Sequence, residues 1–210
     1  DDKCEKQIVD PSLGTCSGKA KNCFIGQILN SDGTCTTDKI NGKNPLGVIV
    51  AIRDNCGYAM TADPIQKNTT WSTENIQASA FLSPDLQLAI KDYNARSNMT
   101  MIIQEGGADS YPAAYAALNY APNEAPTTKG KWMLPSTGIL KSLYTNKSII
   151  NSAISKLNGK QLTDSNEFIW SSSEYNLDSV WVFSVRYNTS YGLEGHLKSN
   201  GHTIRPVIEF

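Results

Sequence analysis

The chain has 210 residues, 40% of them hydrophobic and 19% charged, which is enough for one large domain or for one domain with a small appendage. Its 19 basic and 20 acidic side chains leave a net charge of −1, which excludes the strongly basic surface of a nucleic-acid-binding protein. No apolar stretch approaches the roughly 18 residues of a membrane-spanning helix, and the chain begins at Asp1 without a signal-like segment. We therefore expect no membrane span in these residues, and we expect that any membrane anchor lay in an N-terminal segment that has been removed.

All five cysteines lie within the first 56 residues, and four of them form the ends of two similar units. Residues 4–16 and 23–35 each contain 13 residues, begin and end with Cys, and close on Ser-x-Gly-Thr-Cys. We interpret them as an internal repeat in which each unit forms a strand, a turn and a return strand. The pattern predicts the disulfides Cys4–Cys16 and Cys23–Cys35, with Cys56 left over, in a module that spans residues 1–43.

Zinc binding is the alternative use of these cysteines. The cysteines of each unit are separated by eleven residues, far more than the two to four of structural zinc sites, and the two histidines of the chain lie at positions 196 and 202. Disulfides form in oxidising compartments. The cysteines therefore indicate a secreted or surface-displayed protein.

Residues 44–210 carry the patterns of a mixed helix and strand domain. The apolar run Leu46–Ile52, a turn and the segment Cys56–Thr61 predict a hairpin that is buried on both faces. From Phe168 onward the apolar period changes to two, which predicts strands up to the C-terminus. Helices are predicted between these strands, beginning near Asp85, Ala113, Ser136 and Ser148. Helices between two groups of strands indicate an α+β fold.

Three segments of the C-terminal half have distinctive aromatic and polar signatures. They are Trp132-Met-Leu-Pro-Ser136, Trp170-Ser-Ser-Ser-Glu-Tyr175 and Ile204-Arg-Pro-Val-Ile-Glu-Phe210, with Val180-Trp181 between the last two. In this order and spacing they resemble the C-type-lectin-like variable proteins, including those diversified by bacterial, phage and archaeal retroelements, and related bacterial domains of unknown function. The hairpin at 46–61 and Tyr111-Pro-Ala-Ala-Tyr115 also resemble that family, so the resemblance covers residues 44–210.

The resemblance implies a C-type-lectin-like fold, with paired terminal strands, central helices and a C-terminal antiparallel sheet. The cysteine module is similar to N-terminal modules that stand beside such domains in gut bacteria, and we expect it to be a small disulfide-stapled β module. One departure is visible, because the helix after Leu-Pro-Ser often carries Glu where this chain has Ile139. The residues expected to hold the scaffold are Trp132, Trp170, Trp181, Phe183, Arg205 and Val207.

The resemblance also implies that the ligand-binding face follows the Ser-Ser-Ser-Glu segment. In the alternating segment 181–187, the aromatic side chains are predicted to face the core and the side chains between them to face outward. The flanking residues are rich in Tyr, Ser, Asn and Gly, which is typical of paratopes, although a plain solvated loop has a similar composition. The predicted ligand-binding residues are Asn176, Leu177, Asp178, Ser179, Val182, Ser184, Arg186, Asn188, Ser190, Tyr191, Glu194, His196, Ser199, Asn200 and His202.

Metal binding is a competing use of this face. His196 and His202, together with Asp178 and Glu194, could hold a metal ion, but such sites need three or four converging ligands. The calcium sites of animal C-type lectins need several acidic or amide oxygens, and Ala121-Pro-Asn-Glu-Ala125 resembles them only superficially. We therefore predict neither a metal nor a cofactor.

Catalysis is the second competing use. Formylglycine-generating enzymes share the lectin-like fold but use cysteines in the C-terminal half, and no cysteine follows Cys56. Glu174 could act as a general acid, but a Glu in this position more often accepts backbone N–H groups, with Arg205 as the expected ion partner. No Ser-His-Asp order and no phosphate-binding loop occurs in the sequence. We predict that the protein is not an enzyme.

The sequence thus predicts a secreted or surface-displayed, receptor-like or adhesin-like protein of bacterial or phage origin. Its expected partner is a protein or glycan on another cell or surface, recognised without covalent chemistry by a sequence-diversified face, and its partners do not include nucleic acid. The alternatives are a structural subunit of a surface appendage such as a pilus, and a hydrolase that uses Glu174.

Overall fold

Residues 8–210, which the computed structural model describes, form two β-sheets and five α-helices. The strands are β1 (Ile28–Asn30), β2 (Cys35–Thr36), β3 (Pro45–Arg53), β4 (Cys56–Met60), β5 (Gln66–Thr70), β6 (Trp132–Met133), β7 (Ile169–Glu174), β8 (Ser179–Phe183), β9 (Leu193–Leu197), β10 (Gly201–Ile204) and β11 (Val207–Glu209). The helices are α1 (Leu86–Ala89), α2 (Ala95–Glu105), α3 (Pro112–Leu118), α4 (Thr137–Thr145) and α5 (Lys147–Lys156). Strands surround a helical middle, so the predicted α+β class is confirmed.

The six-stranded sheet joins strands from both ends of the described chain, in the order β2-β1-β3-β4-β11-β6. The predicted hairpin is present as β3 and β4, with Ile49 opposite Ala59. The C-terminal strand β11 pairs antiparallel with β4 on one side and with β6 on the other. The first and last strands of residues 44–210 therefore lie in one sheet, one strand apart.

The second 13-residue unit forms the hairpin β1–β2, and β1 pairs with β3. In residues 8–16, the described part of the first unit, the chain forms turns rather than strands. Strands β1 and β2 thus extend the six-stranded sheet. The predicted boundary near residues 43 and 44 remains a prediction.

The five-stranded sheet has the order β5-β10-β7-β8-β9 and carries the predicted binding face. Its strands pair antiparallel except β10 and β7, which are parallel at Thr203 and Ile169. The register between β7 and β8 shifts between Trp170 and Glu174, so the three serines 171–173 form a bulge. In this bulge the Ser172 hydroxyl accepts a hydrogen bond from Asn98, and the Ser173 hydroxyl donates one to Asp92.

The helices follow the sequence pattern with two corrections. The helix predicted from Asp85 is only four residues long, and the chain leaves the helical path before starting the unpredicted α2 at Ala95. The Asp92 carboxylate accepts a hydrogen bond from Asn94 N at 2.9 Å, which stabilises this turn. The last helix begins at Lys147 after Asn146, rather than at the predicted cap Ser148.

The apolar side chains form two clusters on opposite faces of the six-stranded sheet. Val48 and Val50 belong to the larger cluster, which also contains Trp71, Trp170 and Trp181. Ile49 belongs to the smaller cluster, with Leu13, Trp132 and Phe210. Because alternate residues of a strand face opposite sides, this division places β3 between two apolar layers. All six residues expected to hold the scaffold are buried.

The disulfides differ from the prediction at one bond. Cys23–Cys35 is present as predicted, but Cys16 is bonded to Cys56 rather than to Cys4, and Cys4 lies outside the described residues. Gly14 N donates to Glu209 O at 2.7 Å, which holds the segment before Cys16 against β11. β11 pairs with β4, whose first residue is Cys56, so the two Cα atoms lie 4.9 Å apart. The spacing pattern missed this bond because it joins residues 40 positions apart.

Tryptic mapping without reduction tests this pairing. We expect peptide 7–19 to be linked to peptide 54–67, because the first contains Cys16 and the second Cys56. Peptide 22–39 carries both Cys23 and Cys35 and serves as the internal control, since its bridge closes within one peptide. A link between peptides 4–6 and 7–19 would show that Cys16 pairs with Cys4 instead.

Among residues 8–210, no helix combines the length and the apolar character required to cross a membrane.

Candidate functional site

The structure places the predicted binding residues in three environments. Asn176, Leu177, Asp178, Arg186, Asn188, Tyr191, Glu194, Ser199 and Asn200 are exposed. Ser190, His196 and His202 are half-buried, whereas Ser179, Val182 and Ser184 are buried. Nine of the fifteen predicted residues are therefore exposed, but the sequence did not predict the shape of the surface that they form.

The expectation that Val182 and Ser184 face outward is wrong. Every residue of β8 is buried, and so is Ser184, which follows the strand. Trp181 Nε1 donates to Ser83 O at 2.9 Å on one face, and the Ser184 hydroxyl donates to Ser165 O at 3.3 Å on the other. The period of two correctly predicted a strand, but it could not predict a cover on its second face. Ser179, at the start of the strand, donates its hydroxyl to Asp178 Oδ1 at 2.6 Å.

The exposed residues fall into two groups at opposite ends of β8 and β9. Ser179 pairs with Leu197 at one end, and Phe183 pairs with Leu193 at the other, so the ends are about 13 Å apart. The group at the Phe183 end packs on α4. There the Tyr144 hydroxyl donates to Asn188 O at 2.9 Å, and the Tyr144 and Tyr191 rings meet edge to face. The predicted ligand-binding face is therefore divided into two smaller surfaces.

A buried ion pair supports the first of these surfaces. Lys198 Nζ lies 2.5 Å from Glu174 Oε1, and both side chains are 0% exposed. Glu174 Oε2 accepts hydrogen bonds from Ala78 N at 2.9 Å and Ser79 N at 2.7 Å. The ammonium group also donates a hydrogen bond of 2.7 Å to Ile76 O and lies 5.1 Å from the centroid of the Trp71 ring. The pair thereby joins the 71–79 loop to β7 and to the link between β9 and β10.

This geometry corrects the expected partner of Glu174, which is Lys198 rather than Arg205. Sequence reasoning missed Lys198 because it stands between exposed residues in a polar segment. A signal was present, since a Glu that ends a strand of uncharged residues needs a cation if it is buried. The carboxylate is fully hydrogen-bonded inside the protein, so the geometry lends no support to the hydrolase hypothesis.

Three exposed aliphatic residues lie in the segments that Lys198 joins, and we call them the apical patch. Leu177 is 55% exposed, Leu197 49% and Ile76 44%. Lys198 connects the segments that carry these residues. Its backbone N–H donates to Asp178 O at 2.8 Å, beside Leu177, and its side-chain ammonium group donates to Ile76 O. The polar residues Asn176, Asp178, Ser199 and Asn200 border the patch in sequence and are exposed. Exposed apolar patches with polar rims are typical of protein interaction sites.

The two histidines form a hydrogen-bonded pair within an aromatic cluster. His196 Nδ1 and His202 Nε2 lie 2.8 Å apart, and His196 Nε2 lies 2.9 Å from the Tyr187 hydroxyl. Phe168 packs against both imidazoles, with ring centroids 5.0 and 5.2 Å away. Burial, followed by the neighbouring His196, lowers the pKa of His202 to about 4, and burial lowers the pKa of His196. Throughout residues 8–210, no group of three or more His, Cys, Asp or Glu side chains is placed to hold a metal ion.

The histidine pair predicts an acid-sensitive contribution to stability. Both folded-state pKa values lie below the reference of 6.5, so the contribution is complete above pH 6.5 and is lost as the pH falls toward 4. We expect the loss to be about 1–3 kcal/mol. Guanidinium unfolding of the wild type and of His202→Gln between pH 6.5 and pH 4 separates the contribution of the histidine pair from that of the carboxylates. Parallel pH profiles of the two proteins would contradict the prediction.

Comparison with known proteins gives a match to a solved structure. No protein-family model and no curated protein matches the chain. The fold is similar to the crystal structure of a fimbrial protein from Bacteroides ovatus ATCC 8483, with a TM-score of 0.59 and 14% sequence identity. The match covers 89% of this chain and 49% of the fimbrial protein, so the chain spans about half the length of that protein. At this identity the similarity concerns the fold alone.

Proposed function

We propose that this chain is a non-catalytic domain of a surface-displayed, fimbria-type protein. The observation that carries the proposal is the similarity of 89% of the chain to a fimbrial protein of known structure. The two disulfides support the same location, because they are typical of oxidising compartments. In this role the domain would be a structural subunit of an appendage or the part of it that contacts a partner.

Localisation in the native host tests this proposal. Antibodies against residues 8–210 should label intact cells and should detect the protein in a sheared appendage fraction. A cytosolic enzyme serves as the control for lysis. Detection of the protein only inside intact cells would overturn the proposal.

A second candidate function is recognition of a protein ligand through the apical patch. Three aliphatic side chains, each more than two-fifths exposed, lie inside a polar rim, which resembles the apolar centre and polar border of protein interfaces. The buried Glu174–Lys198 pair fixes the backbone beneath them, so the patch is pre-organised and binding would order few side chains. A rigid surface of this composition suits a partner with its own apolar centre.

A binding screen against surface proteins tests this second function. We expect Leu177→Ser with Leu197→Ser to weaken a protein ligand about tenfold or more, because both side chains would lose apolar burial. Leu88→Ser is the matched control, since Leu88 on α1 is 51% exposed and is not one of the three residues of the patch. Equal weakening by the control and the double variant would reject the patch as the binding surface.

The C-type-lectin-like fold and the diversified face belong to the same proposal. The placement of β11 beside β4 and the burial of Trp132, Trp170 and Trp181 support the lectin-like assignment. The exposed polar residues after Tyr175 support a face that tolerates variation. An adenine-rich copy of the codons for residues 176–203 beside a reverse-transcriptase gene would establish diversification, and invariance of these codons among related strains would reject it.

A further inference from the structure

A cleft of about 580 Å³ lies on a different part of the molecule from the apical patch. It is bordered by the linker before β3, the 61–65 segment after β4, the 120–124 loop after α3 and the end of α5. Its volume is within the range of small-molecule sites, about 300–1,000 Å³. The cleft thus has the size of a binding site and is formed by segments that the predicted binding face does not use.

Hydrogen bonds hold the walls of the cleft in place. The Thr61 hydroxyl donates to Asp63 O at 2.7 Å, and Asp63 Oδ1 accepts from Lys160 N at 2.8 Å. Behind this wall the buried Arg205 donates through Nη2 to Ala62 O at 2.5 Å and also to Lys160 O. On the opposite wall Lys43 Nζ lies 2.5 Å from Asp32 Oδ2. The cleft is therefore formed before any ligand binds.

The charges of the cleft cancel. Lys39 and Lys43 contribute two positive charges, and Asp63 and Glu124 contribute two negative charges. A site that selects an anion or a cation would carry an excess of the opposite charge. The charges of these four lining side chains sum to zero, and although Lys43 is paired with Asp32, Lys39 and Glu124 supply an ammonium donor and a carboxylate acceptor.

The apolar surface of the cleft is rigid and contains one aromatic ring. Tyr120 lines it, together with three prolines and the aliphatic residues Leu46, Ile65 and Leu157. The Tyr120 ring is fixed edge to face against Trp132, with centroids 5.0 Å apart. Burial, and then the charges of Glu124 and Asp63, raise the pKa of the Tyr120 hydroxyl, which remains an uncharged donor and acceptor.

We propose that this cleft binds a neutral oligosaccharide. Sugar rings present apolar C–H faces that pack on a tyrosine ring, and hydroxyl groups that both donate and accept hydrogen bonds. The cleft supplies these requirements: one aromatic ring, side chains that donate and accept hydrogen bonds, and lining charges that sum to zero. A proline-rich peptide fits less well, because grooves for such peptides are lined by several aromatic rings and Tyr120 is the single aromatic residue among those that line this cleft in the described chain.

An array of neutral di- to tetrasaccharides tests the proposal. It should contain gluco-, manno-, galacto-, xylo- and chito-oligomers, with sialylated and sulfated glycans and proline-rich peptides on the same surface. We expect binding to neutral members. In titration calorimetry with the best of them, we expect Glu124→Gln and Tyr120→Phe each to weaken affinity about tenfold.

The controls separate this site from the apical patch and from unfolding. Glu105→Gln is the matched control for Glu124→Gln, because both glutamates are exposed and Glu105 lies on α2, outside the cleft. Leu177→Ser should leave sugar affinity unchanged, and the melting temperature of each variant reports its folding. The proposal is overturned if no neutral glycan binds, if only charged glycans or peptides bind, or if the cleft variants bind as tightly as the wild type. It does not depend on the proposed surface function.

Discussion

Replacing Lys198 with methionine should lower the free energy of unfolding by about 3–5 kcal/mol. The substitution leaves the Glu174 carboxylate buried with two backbone N–H donors but without a counter-charge. Removing one member of a buried ion pair is strongly destabilising, because the desolvated partner keeps its charge and loses its attraction. The Ile76 carbonyl also loses its hydrogen bond, so the 71–79 loop is expected to loosen. Guanidinium unfolding at neutral pH measures the effect.

Two further variants determine whether the ion pair itself is responsible. Lys129→Met, at an exposed position, should change stability by less than about 0.5 kcal/mol. The double variant Glu174→Gln with Lys198→Met removes both charges and should be more stable than Lys198→Met alone, because no unpaired charge remains. An effect of Lys198→Met no larger than that of Lys129→Met would show that Glu174 and Lys198 do not form a buried pair.

The strands and the apolar layers were largely predictable because they depend on local pattern. The run Leu46–Ile52 has apolar side chains on both faces of a strand, and β3 indeed lies between two apolar clusters. The switch to a period of two after Phe168 correctly predicted a run of strands, of which β7 to β10 form the five-stranded sheet together with β5. These features follow from the alternation of side chains along a strand, which short segments of sequence record.

Three of the errors share a different cause, since each concerns a contact between segments that are separated in the sequence. The Cys16–Cys56 bond, the cover over Ser184 and the partner of Glu174 all depend on loops that approach from elsewhere. The spacing of the cysteines favoured a disulfide within the first cysteine unit, because a sequence most readily suggests bonds that close a short loop. The pairing of β11 with β4 instead decided which cysteines meet.

The candidate sites show the same division. Composition identified exposed residues such as Asn176 and Tyr191, because polar side chains near turns are usually solvated. It could not show that these residues divide between two ends of β8, or that Ile76 completes the apical patch. The cleft around Tyr120 also escaped detection, because its walls come from four segments that no motif connects.

The serines of the bulge are explained by a buried polar network centred on Asp92. Asp92 Oδ2 accepts hydrogen bonds from Asn98 Nδ2 at 2.9 Å and from the Ser173 hydroxyl at 2.7 Å. Ser173 Oγ in turn accepts from Thr137 N, the first residue of α4, at 3.0 Å. The network therefore joins α2, α4 and β7, three elements that enclose the larger apolar cluster. Each of these side chains is buried, so every donor in the network needs its acceptor.

Asp92→Ala should therefore lower the free energy of unfolding by about 3–4 kcal/mol. The substitution leaves the Ser173 hydroxyl without an acceptor and the Asn98 amide with only a long hydrogen bond of 3.3 Å to Ser172 Oγ, and each unsatisfied donor costs about 1–3 kcal/mol. It also removes the acceptor of Asn94 N, which stabilises the turn before α2. Asp109→Ala is the matched control, because Asp109 is exposed, and it should change stability by less than about 0.5 kcal/mol.

A double-mutant cycle separates the network from the turn. Asn98→Leu removes one unsatisfied donor of the Asp92→Ala variant, so the double variant should lose about 1 kcal/mol less than the sum of the two single variants. Guanidinium unfolding gives all four free energies, and near-ultraviolet circular dichroism of the buried tryptophans reports whether the packing around α4 survives. Strict additivity of the two substitutions would show that Asp92 and Asn98 are not coupled, and would contradict a network that extends from Asp92 to α2.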